Sequence, residues 1–117
     1  MGDQQEAKRV FTLEEARALI PEVKRLTQKA YKKVQRLTGD AESPPEDSST
    51  DPALRQEVNN VITDWLEAVT GLGCDVKGLW LVDFDSGHGY YCWKYPEQDL
   101  QHYHSYEDGF TGRMRIL

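Results

Sequence analysis

The hydrophobic pattern of the chain changes its period at Gly78, and this change limits the folds that are open to it. Before Gly78, apolar residues recur every three or four positions in two stretches, 11–37 and 52–72, as they do in amphipathic helices. After Gly78, short runs of aromatic and aliphatic residues follow the period of two that is typical of strands. The sequence therefore predicts an α+β fold.

Both predicted helices begin with a capping pattern. Thr12 and Glu15 have the spacing of a capping box, and Asp51-Pro52 combines an acidic cap with a proline at the first helical position. Pro21 removes one hydrogen bond inside the first helix, but the apolar stripe continues on both sides of it. We therefore expect a kink at Pro21 and no break.

The segment between the two helices is acidic and rich in turn-forming residues. Residues 38–50 (TGDAESPPEDSST) combine a proline pair with acids and small polar side chains, which is typical of a loop or a disordered linker. Two amphipathic helices with such a connection normally pack antiparallel as a hairpin. The sequence predicts this hairpin and no functional role for the linker.

Three strand-like runs follow the second helix. They are Leu79–Phe84 (LWLVDF), Tyr90–Tyr95 (YYCWKY) and Leu100–Ser105 (LQHYHS), separated by the turn-like segments DSGHG and PEQD. Such short connections predict a three-stranded antiparallel β-meander, and a sheet this small needs the helix hairpin to cover one face. We expect a single domain of residues 1–117, with the meander and a C-terminal tail in 78–117.

Alternation along the strands separates a more apolar face from a polar one. The set that we expect on the helices consists of Trp80, Val82, Phe84, Tyr91, Trp93, Tyr95 and Tyr103. The opposite face then collects Asp83, Tyr90, Cys92, Lys94, His102 and His104. This arrangement depends on the hairpin register, because a slip of one residue would turn a whole strand over.

The polar face carries the ligand types of a transition-metal site. Zinc and similar divalent cations prefer carboxylate, thiolate and imidazole ligands, so we predict a metal site that draws on Asp83, His104, Cys92 and His102. The same groups could transfer protons, since a carboxylate can orient a neutral histidine as a base. The residues alone favour a third interpretation, in which these groups are solvated or satisfied by hydrogen bonds, because the spacing His102-x-His104 is far less specific than paired zinc-binding motifs.

A glycine-containing turn near the C-terminus is a second candidate site. Gly109 and Gly112 flank an aromatic residue and lead to Arg113, so backbone amides and a guanidinium could together bind an anion. In the structural alternative, the glycines permit the turn that returns the tail, and Arg113 pairs with an acidic side chain. The segment lacks the Gly-Lys-Ser/Thr ending of a P-loop, which favours the structural alternative.

Charge and composition argue against several classes of function. Acidic residues outnumber basic ones by 20 to 14, and the net charge of −6 disfavours general nucleic-acid binding. No apolar run reaches the roughly 18 residues of a membrane span, and the polar N-terminus lacks the apolar core of a signal peptide. The two cysteines do not form a CxxC pair, so we expect free thiols in a reducing compartment, the cytoplasm.

A series of short motifs runs through the chain. They are FTLEEA at 11–16, LIPE at 19–22, LVDF at 81–84, Cys92-Trp93, Tyr103-His104 and Gly109-Phe110-x-Gly112-Arg113. In this order they resemble the small bacterial family catalogued as domain of unknown function 2203. The resemblance covers nearly the whole chain except the linker. It implies a small cytosolic bacterial protein and assigns no activity.

The resemblance also singles out particular positions. Those that match the family pattern are Asp83, Cys92, Trp93, His104, Gly109, Gly112 and Arg113. The chain departs from that pattern at Asp85, where a proline is frequent, and at residues 102–104, which read His-Tyr-His in place of Tyr-Trp-His. The resemblance therefore does not extend to His102, and it favours a site built on Asp83 and His104.

Two functions fit these observations. The absence of a specific catalytic motif and the long amphipathic helices favour a non-catalytic binding or regulatory module that acts through protein contacts. Such a module could be a homodimer with the exposed aromatics Tyr90 and Tyr106 in its interface. The alternative is a transition-metal-binding protein, extending to a small metal-dependent hydrolase, with its site on the open sheet face.

Overall fold

The structure, a computed structural model, describes residues 9–44 and 51–116. Its two helices and its antiparallel sheet confirm the predicted α+β class. The polar lead at 1–8, the second half of the predicted linker at 45–50 and residue 117 lie outside the described residues.

Both helices begin at the caps that the sequence indicates. Helix α1 spans Leu13–Thr38 and helix α2 spans Pro52–Thr70. The Glu15 amide donates a hydrogen bond of 3.0 Å to the Thr12 hydroxyl, and the Thr12 amide donates one of 2.9 Å to the Glu15 carboxylate. At the start of α2, Asp51 accepts bonds from two backbone amides of the first turn. Side chains therefore satisfy amide groups that the helices leave unpaired.

The two helices pack on each other along their apolar sides. Helix α1 is continuous across Pro21 and ends at Gly39, whose φ of 81° favours a residue without Cβ. The indole of Trp65 in α2 donates a buried hydrogen bond of 2.8 Å to the hydroxyl of Thr27 in α1, which helps to fix the relative position of the helices. Within the described residues, no helix is long and apolar enough to span a bilayer.

The sheet has five antiparallel strands in chain order, two more than the sequence predicts. They are β1 (Asp75–Gly78), β2 (Leu81–Asp85), β3 (Tyr90–Lys94), β4 (His102–His104) and β5 (Met114–Arg115). The prediction of three strands is wrong because β1 and β5 have no hydrophobic period of their own. Strand β1 reads DVKG and β5 has two residues, so both are defined by pairing with β2 and β4.

The strand that corresponds to the predicted run Leu79–Phe84 is β2, and it begins two residues later than predicted, at Leu81. Trp80 has a φ of 63°, in the left-handed region, and belongs to the turn before β2. Its indole is buried against Trp65 and donates a hydrogen bond of 2.8 Å to the carbonyl of Ala41. Ala41 is itself fully buried, so the first part of the predicted linker packs against the sheet. These tertiary contacts outweigh the local preference of a bulky residue for extended backbone.

One face of the sheet packs on the helices, as the alternation predicts. Val82, Phe84 and Trp93 of this face are fully buried in the same core as both helices. Phe11, just before α1, meets Phe84 edge to face with ring centroids 5.4 Å apart. The polar residues of the same strands consequently lie on the opposite face.

Candidate metal centre

Three neighbouring strands each contribute one polar side chain to a cluster on the face away from the helices. Asp83 in β2 lies opposite Cys92 in β3, and His104 in β4 lies opposite Tyr90 in β3. His104 reaches across β3, so that its Nε2 atom lies 3.0 Å from Asp83 Oδ2. One carboxylate oxygen, the Cys92 Sγ atom and one imidazole nitrogen all lie within 4.8 Å of one another.

This cluster is buried, although the sequence predicts an open face. The exposed fractions are 1% for Asp83, 0% for Cys92 and 3% for His104. The ring of Tyr90, which the sequence predicts as exposed, is also buried and lies against His104 with centroids 5.4 Å apart. On the other side, Arg113 from the C-terminal segment lies beside Cys92. The expectation of an open face is therefore wrong at the cluster, because the residues after β4 return over it.

The surroundings of His104 determine which of its nitrogens carries hydrogen. Its Nδ1 atom lies 2.8 Å from the carbonyl oxygen of Ser105, and a carbonyl only accepts, so Nδ1–H is the donor. Nε2 then faces Asp83 Oδ2, so a hydrogen bond between these two atoms requires a proton on one of them. Burial raises the pKa of the Asp83 carboxyl, while the adjacent His104 opposes this rise.

The other atoms of the cluster are less well satisfied. Asp83 Oδ1 is buried and has no hydrogen-bond partner among the described residues. Burial, followed by the neighbouring Asp83 carboxylate, raises the pKa of the Cys92 thiol to about 12, so this thiol is neutral near pH 7. A buried acceptor without a partner costs stability, which makes Asp83 Oδ1 a natural point of attachment for a cation.

His102 lies on the same face but does not join the cluster. It pairs with Cys92 across the strands, yet its Nδ1 atom lies 3.9 Å from Glu97 Oε2. This Nδ1 atom is buried and has no hydrogen-bond partner within the described part of the chain. Of the four metal ligands predicted from the sequence, the structure thus brings three together and leaves His102 beside them.

The geometry does not suit a thiol nucleophile. A histidine that activates a cysteine needs a ring nitrogen directed at the sulfur. In His104, one ring nitrogen faces Ser105 and the other faces Asp83. The high pKa of Cys92 also keeps it in the less nucleophilic thiol form.

In the anion site predicted at Gly109, Gly112 and Arg113, the arginine is already paired with the carboxylate of Glu97. Arg113 binds Glu97 through both guanidinium nitrogens, with Nη1 lying 3.1 Å from Oε1 and Nη2 contacting Oε2. Although burial works against the charged form, Glu97 raises the pKa of Arg113. Gly109 precedes the short 3₁₀ helix Phe110–Gly112, of which Gly112 is the last residue, and the Gly112 amide donates to the Gly109 carbonyl.

Glu97 is the important residue that sequence reasoning missed. It lies in the connection between β3 and β4, where the sequence PEQD indicates only a turn. Its Oε1 atom accepts a hydrogen bond of 2.9 Å from the Lys94 amide, which anchors the carboxylate to the end of β3. Nothing in the local pattern distinguishes it from the acids nearby, because its partners come from a distant part of the chain.

Comparison with known proteins agrees with the motifs. No curated protein and no solved structure matches the chain significantly. The profile of one family, described as an uncharacterized conserved protein (DUF2203), matches residues 9–116, which is nearly the whole chain. The match includes Asp83, Cys92 and His104 as well as the C-terminal residues that cover them. The chain therefore belongs to the DUF2203 family of uncharacterized conserved proteins.

Proposed function

We propose that this protein binds one divalent transition-metal ion, with zinc as the reference case, through Asp83, Cys92 and His104. The observation that carries the proposal is the convergence of their three ligand atoms within 4.8 Å at a buried position. Zinc bonds of about 2.0–2.3 Å put tetrahedral ligand atoms roughly 3.3–3.8 Å apart. Small side-chain rotations would be enough to reach that geometry.

The groups around the ligands support the same proposal. Ligating histidines usually donate their second N–H to a carbonyl or a carboxylate, as His104 does to Ser105. Asp83 Oδ1, which has no hydrogen-bond partner in the described part of the chain, is available as a further metal-binding atom. His102 is the candidate fourth ligand, because it faces Cys92 and its buried Nδ1 lacks a hydrogen-bond partner in the described residues.

The donor set also favours one class of ion. A carboxylate and a thiolate together neutralise a divalent charge, and the Arg113–Glu97 pair beside them adds none. Thiolate and imidazole suit zinc and its neighbours, whereas magnesium and calcium prefer oxygen ligands alone. The two cysteines are free thiols, so the proposal includes a reducing compartment such as the cytoplasm.

The burial of the ligands favours a structural or regulatory ion over a hydrolytic one. A catalytic zinc keeps one position open to water and substrate, whereas a structural zinc is enclosed by the protein. All three ligands are almost fully buried. Two cavities, of 660 and 290 Å³, are lined by residues outside the cluster. A hydrolase would need the covering residues to move before a substrate could reach the ion.

Metal content and cobalt binding test the proposal, with the second buried thiol as a matched control. Plasma mass spectrometry of untagged protein should give about one transition-metal ion per chain, and Co²⁺ should produce a sulfur-to-cobalt absorption band. Cys92→Ala should abolish the band, whereas Cys74→Ala should retain it, since Cys74 is equally buried but lies outside the cluster. A wild-type protein that binds neither Zn²⁺ nor Co²⁺ would rule the proposal out.

A second candidate function is a non-catalytic module that acts through protein contacts, as a homodimer. The observation in its favour is that Tyr106, Phe110 and Met114 are exposed apolar side chains of one short segment. Sedimentation velocity over a wide concentration range tests it. Self-association that is lost in Met114→Asp and kept in Leu66→Asp, an exposed site on α2, would support it. A wild-type monomer at all concentrations would exclude the homodimer.

A further inference from the structure

Arg113 lies beside Cys92 at the edge of the polar cluster. Its Nη1 atom lies 3.9 Å from Cys92 Sγ and 3.1 Å from Glu97 Oε1. The arginine side chain is only 15% exposed, and the glutamate side chain 25%. The ion pair therefore forms part of the wall that separates the cluster from solvent.

The ion pair links two parts of the chain that are otherwise weakly joined. Glu97 is anchored to the end of β3 through the Lys94 amide. Arg113 belongs to the segment 109–115, in which the ring of Phe110 lies 4.2 Å from the guanidinium carbon. This segment is attached to the sheet by β5, an edge strand of two residues, and residues 106–111 are exposed. Local opening there costs less than opening of the central strands.

The opposite side of the cluster is closed more firmly. Tyr90 covers His104 from within β3, a central strand that pairs on both sides. Lys77 lies over the Tyr90 ring at 4.0 Å, and Tyr106 packs on its edge. The Tyr106 hydroxyl donates a hydrogen bond of 2.7 Å to Asp85. Contacts with Lys77, His104 and Tyr106 hold the Tyr90 ring in place, so the Arg113 side offers the easier path for an ion.

We propose that the Arg113–Glu97 ion pair is a latch that controls metal exchange at the Asp83–Cys92–His104 centre. An ion enters or leaves when the pair separates and the segment 109–115 lifts from Cys92. This inference rests on the proposed metal-binding function. It assigns Arg113 and Glu97 a positioning role, since neither is a ligand in the closed state.

A latch changes the rates of exchange and leaves the affinity nearly unchanged. The double variant Glu97→Gln/Arg113→Met removes both charges at similar side-chain volume, so no unpaired charge is left beside the ion. Loss of a charge-assisted, bidentate pair should accelerate Co²⁺ association and Co²⁺ release alike, by about tenfold or more. The dissociation constant should change by less than either rate does, because association and release are accelerated together and the three ligand residues are retained.

The matched control is Arg115→Met, which removes the same kind of charge from an exposed position two residues further along. It should exchange Co²⁺ at the wild-type rate. Arg113→Lys serves as a second variant if the double variant does not fold. Lysine keeps the charge but cannot bind both carboxylate oxygens, so exchange should be intermediate.

Stopped-flow absorbance at the cobalt–sulfur band measures association, and mixing with excess EDTA measures release. Faster exchange in the double variant, with wild-type rates in Arg115→Met, supports the latch. Unchanged rates in a folded latch variant that still binds one Co²⁺ would overturn it and leave the metal site standing. If the wild-type protein bound no Co²⁺, the proposed function itself would fail.

Discussion

The Nε2 atom of His104 lies 3.0 Å from the Oδ2 atom of Asp83, although the two residues belong to strands that do not pair with each other. The strand between them supplies Cys92, directly opposite Asp83. Because the Ser105 carbonyl holds the other ring nitrogen, the histidine cannot turn away without losing a second hydrogen bond. Two hydrogen bonds thus hold the His104 ring in position on the polar face.

Removal of one member of this pair should destabilise the metal-free protein strongly. His104→Ala leaves Asp83 buried without its partner, so we expect the free energy of unfolding to fall by about 3–5 kcal/mol. Urea denaturation in the presence of a chelator measures this change. Asp83→Ala/His104→Ala should cost less than the sum of the two single variants, because neither group is left unpaired. Strictly additive losses would show that the two side chains are not coupled.

The two buried thiols should make stability fall at alkaline pH. Burial is the main cause that raises the pKa of both Cys74 and Cys92 to about 12. An unfolded thiol has a pKa of about 8.5, so the folded state retains protons that the unfolded chain releases. The contribution of each thiol to the free energy of unfolding is fully present below about pH 8.5. It is lost as the pH rises toward 12, by up to about 1.4 kcal/mol per pH unit for each thiol.

Urea denaturation of reduced, metal-free protein between about pH 8 and pH 10 measures that slope. Cys74→Ala should remove about half of it, since Cys92 remains. An equally steep slope in Cys74→Ala/Cys92→Ala would assign the effect to other groups.

Metal binding should release protons and weaken in acid. An ion bound as proposed would displace the proton of the Cys92 thiol and the proton of the hydrogen bond between Asp83 and His104, so we expect about two protons per ion near pH 7. A pH indicator in weakly buffered solution counts them during titration with Zn²⁺. Cys92→Ser, which keeps a weak ligand, should release about one proton fewer. Binding without proton release would place the ion elsewhere.

The indole of Trp80 should be important for stability because its hydrogen bond is buried. Trp80→Phe leaves the buried carbonyl of Ala41 without its donor, and we expect a loss of about 1–3 kcal/mol in the free energy of unfolding. Thermal and urea denaturation measure this loss. Leu66→Ala, a truncation at a partly exposed position on α2, should change stability by less than about 0.5 kcal/mol. Equal effects of both substitutions would contradict the role of the indole bond.

The features that follow from local pattern were predictable from the sequence. The helix caps at Thr12 and Asp51 follow from the types and spacing of the capping residues. The period of two along the strands assigns Asp83, Cys92 and His104 to one face of the sheet. Short connections also fix the hairpin register, because they leave little freedom for a slip. Local pattern is therefore sufficient to predict that Asp83, Cys92 and His104 lie close together.

The features that the sequence did not reveal depend on partners far along the chain. Strand β5 is two residues long and exists only through its pairing with β4. Without β5, nothing in the pattern brings Arg113 to Glu97 or covers the polar face. The left-handed backbone of Trp80 likewise follows from contacts with Trp65 and Ala41, which a hydrophobic period cannot represent.

Strands β2, β3 and β4, which carry Asp83, Cys92 and His104, follow one another directly in the chain, and this order affects how the protein folds. Asp83 and His104 are separated by 21 positions, whereas the buried bonds Trp65–Thr27 and Trp80–Ala41 span 38 and 39. Closing a shorter loop costs less entropy, and hairpins form faster than contacts between distant segments. The contacts of the polar cluster therefore cost less loop-closure entropy than the contacts that join the helices to each other and to Trp80. A metal ion that binds the cluster during refolding, as proposed, would stabilise these short-range contacts. It would then accelerate folding as well as stabilise the folded protein.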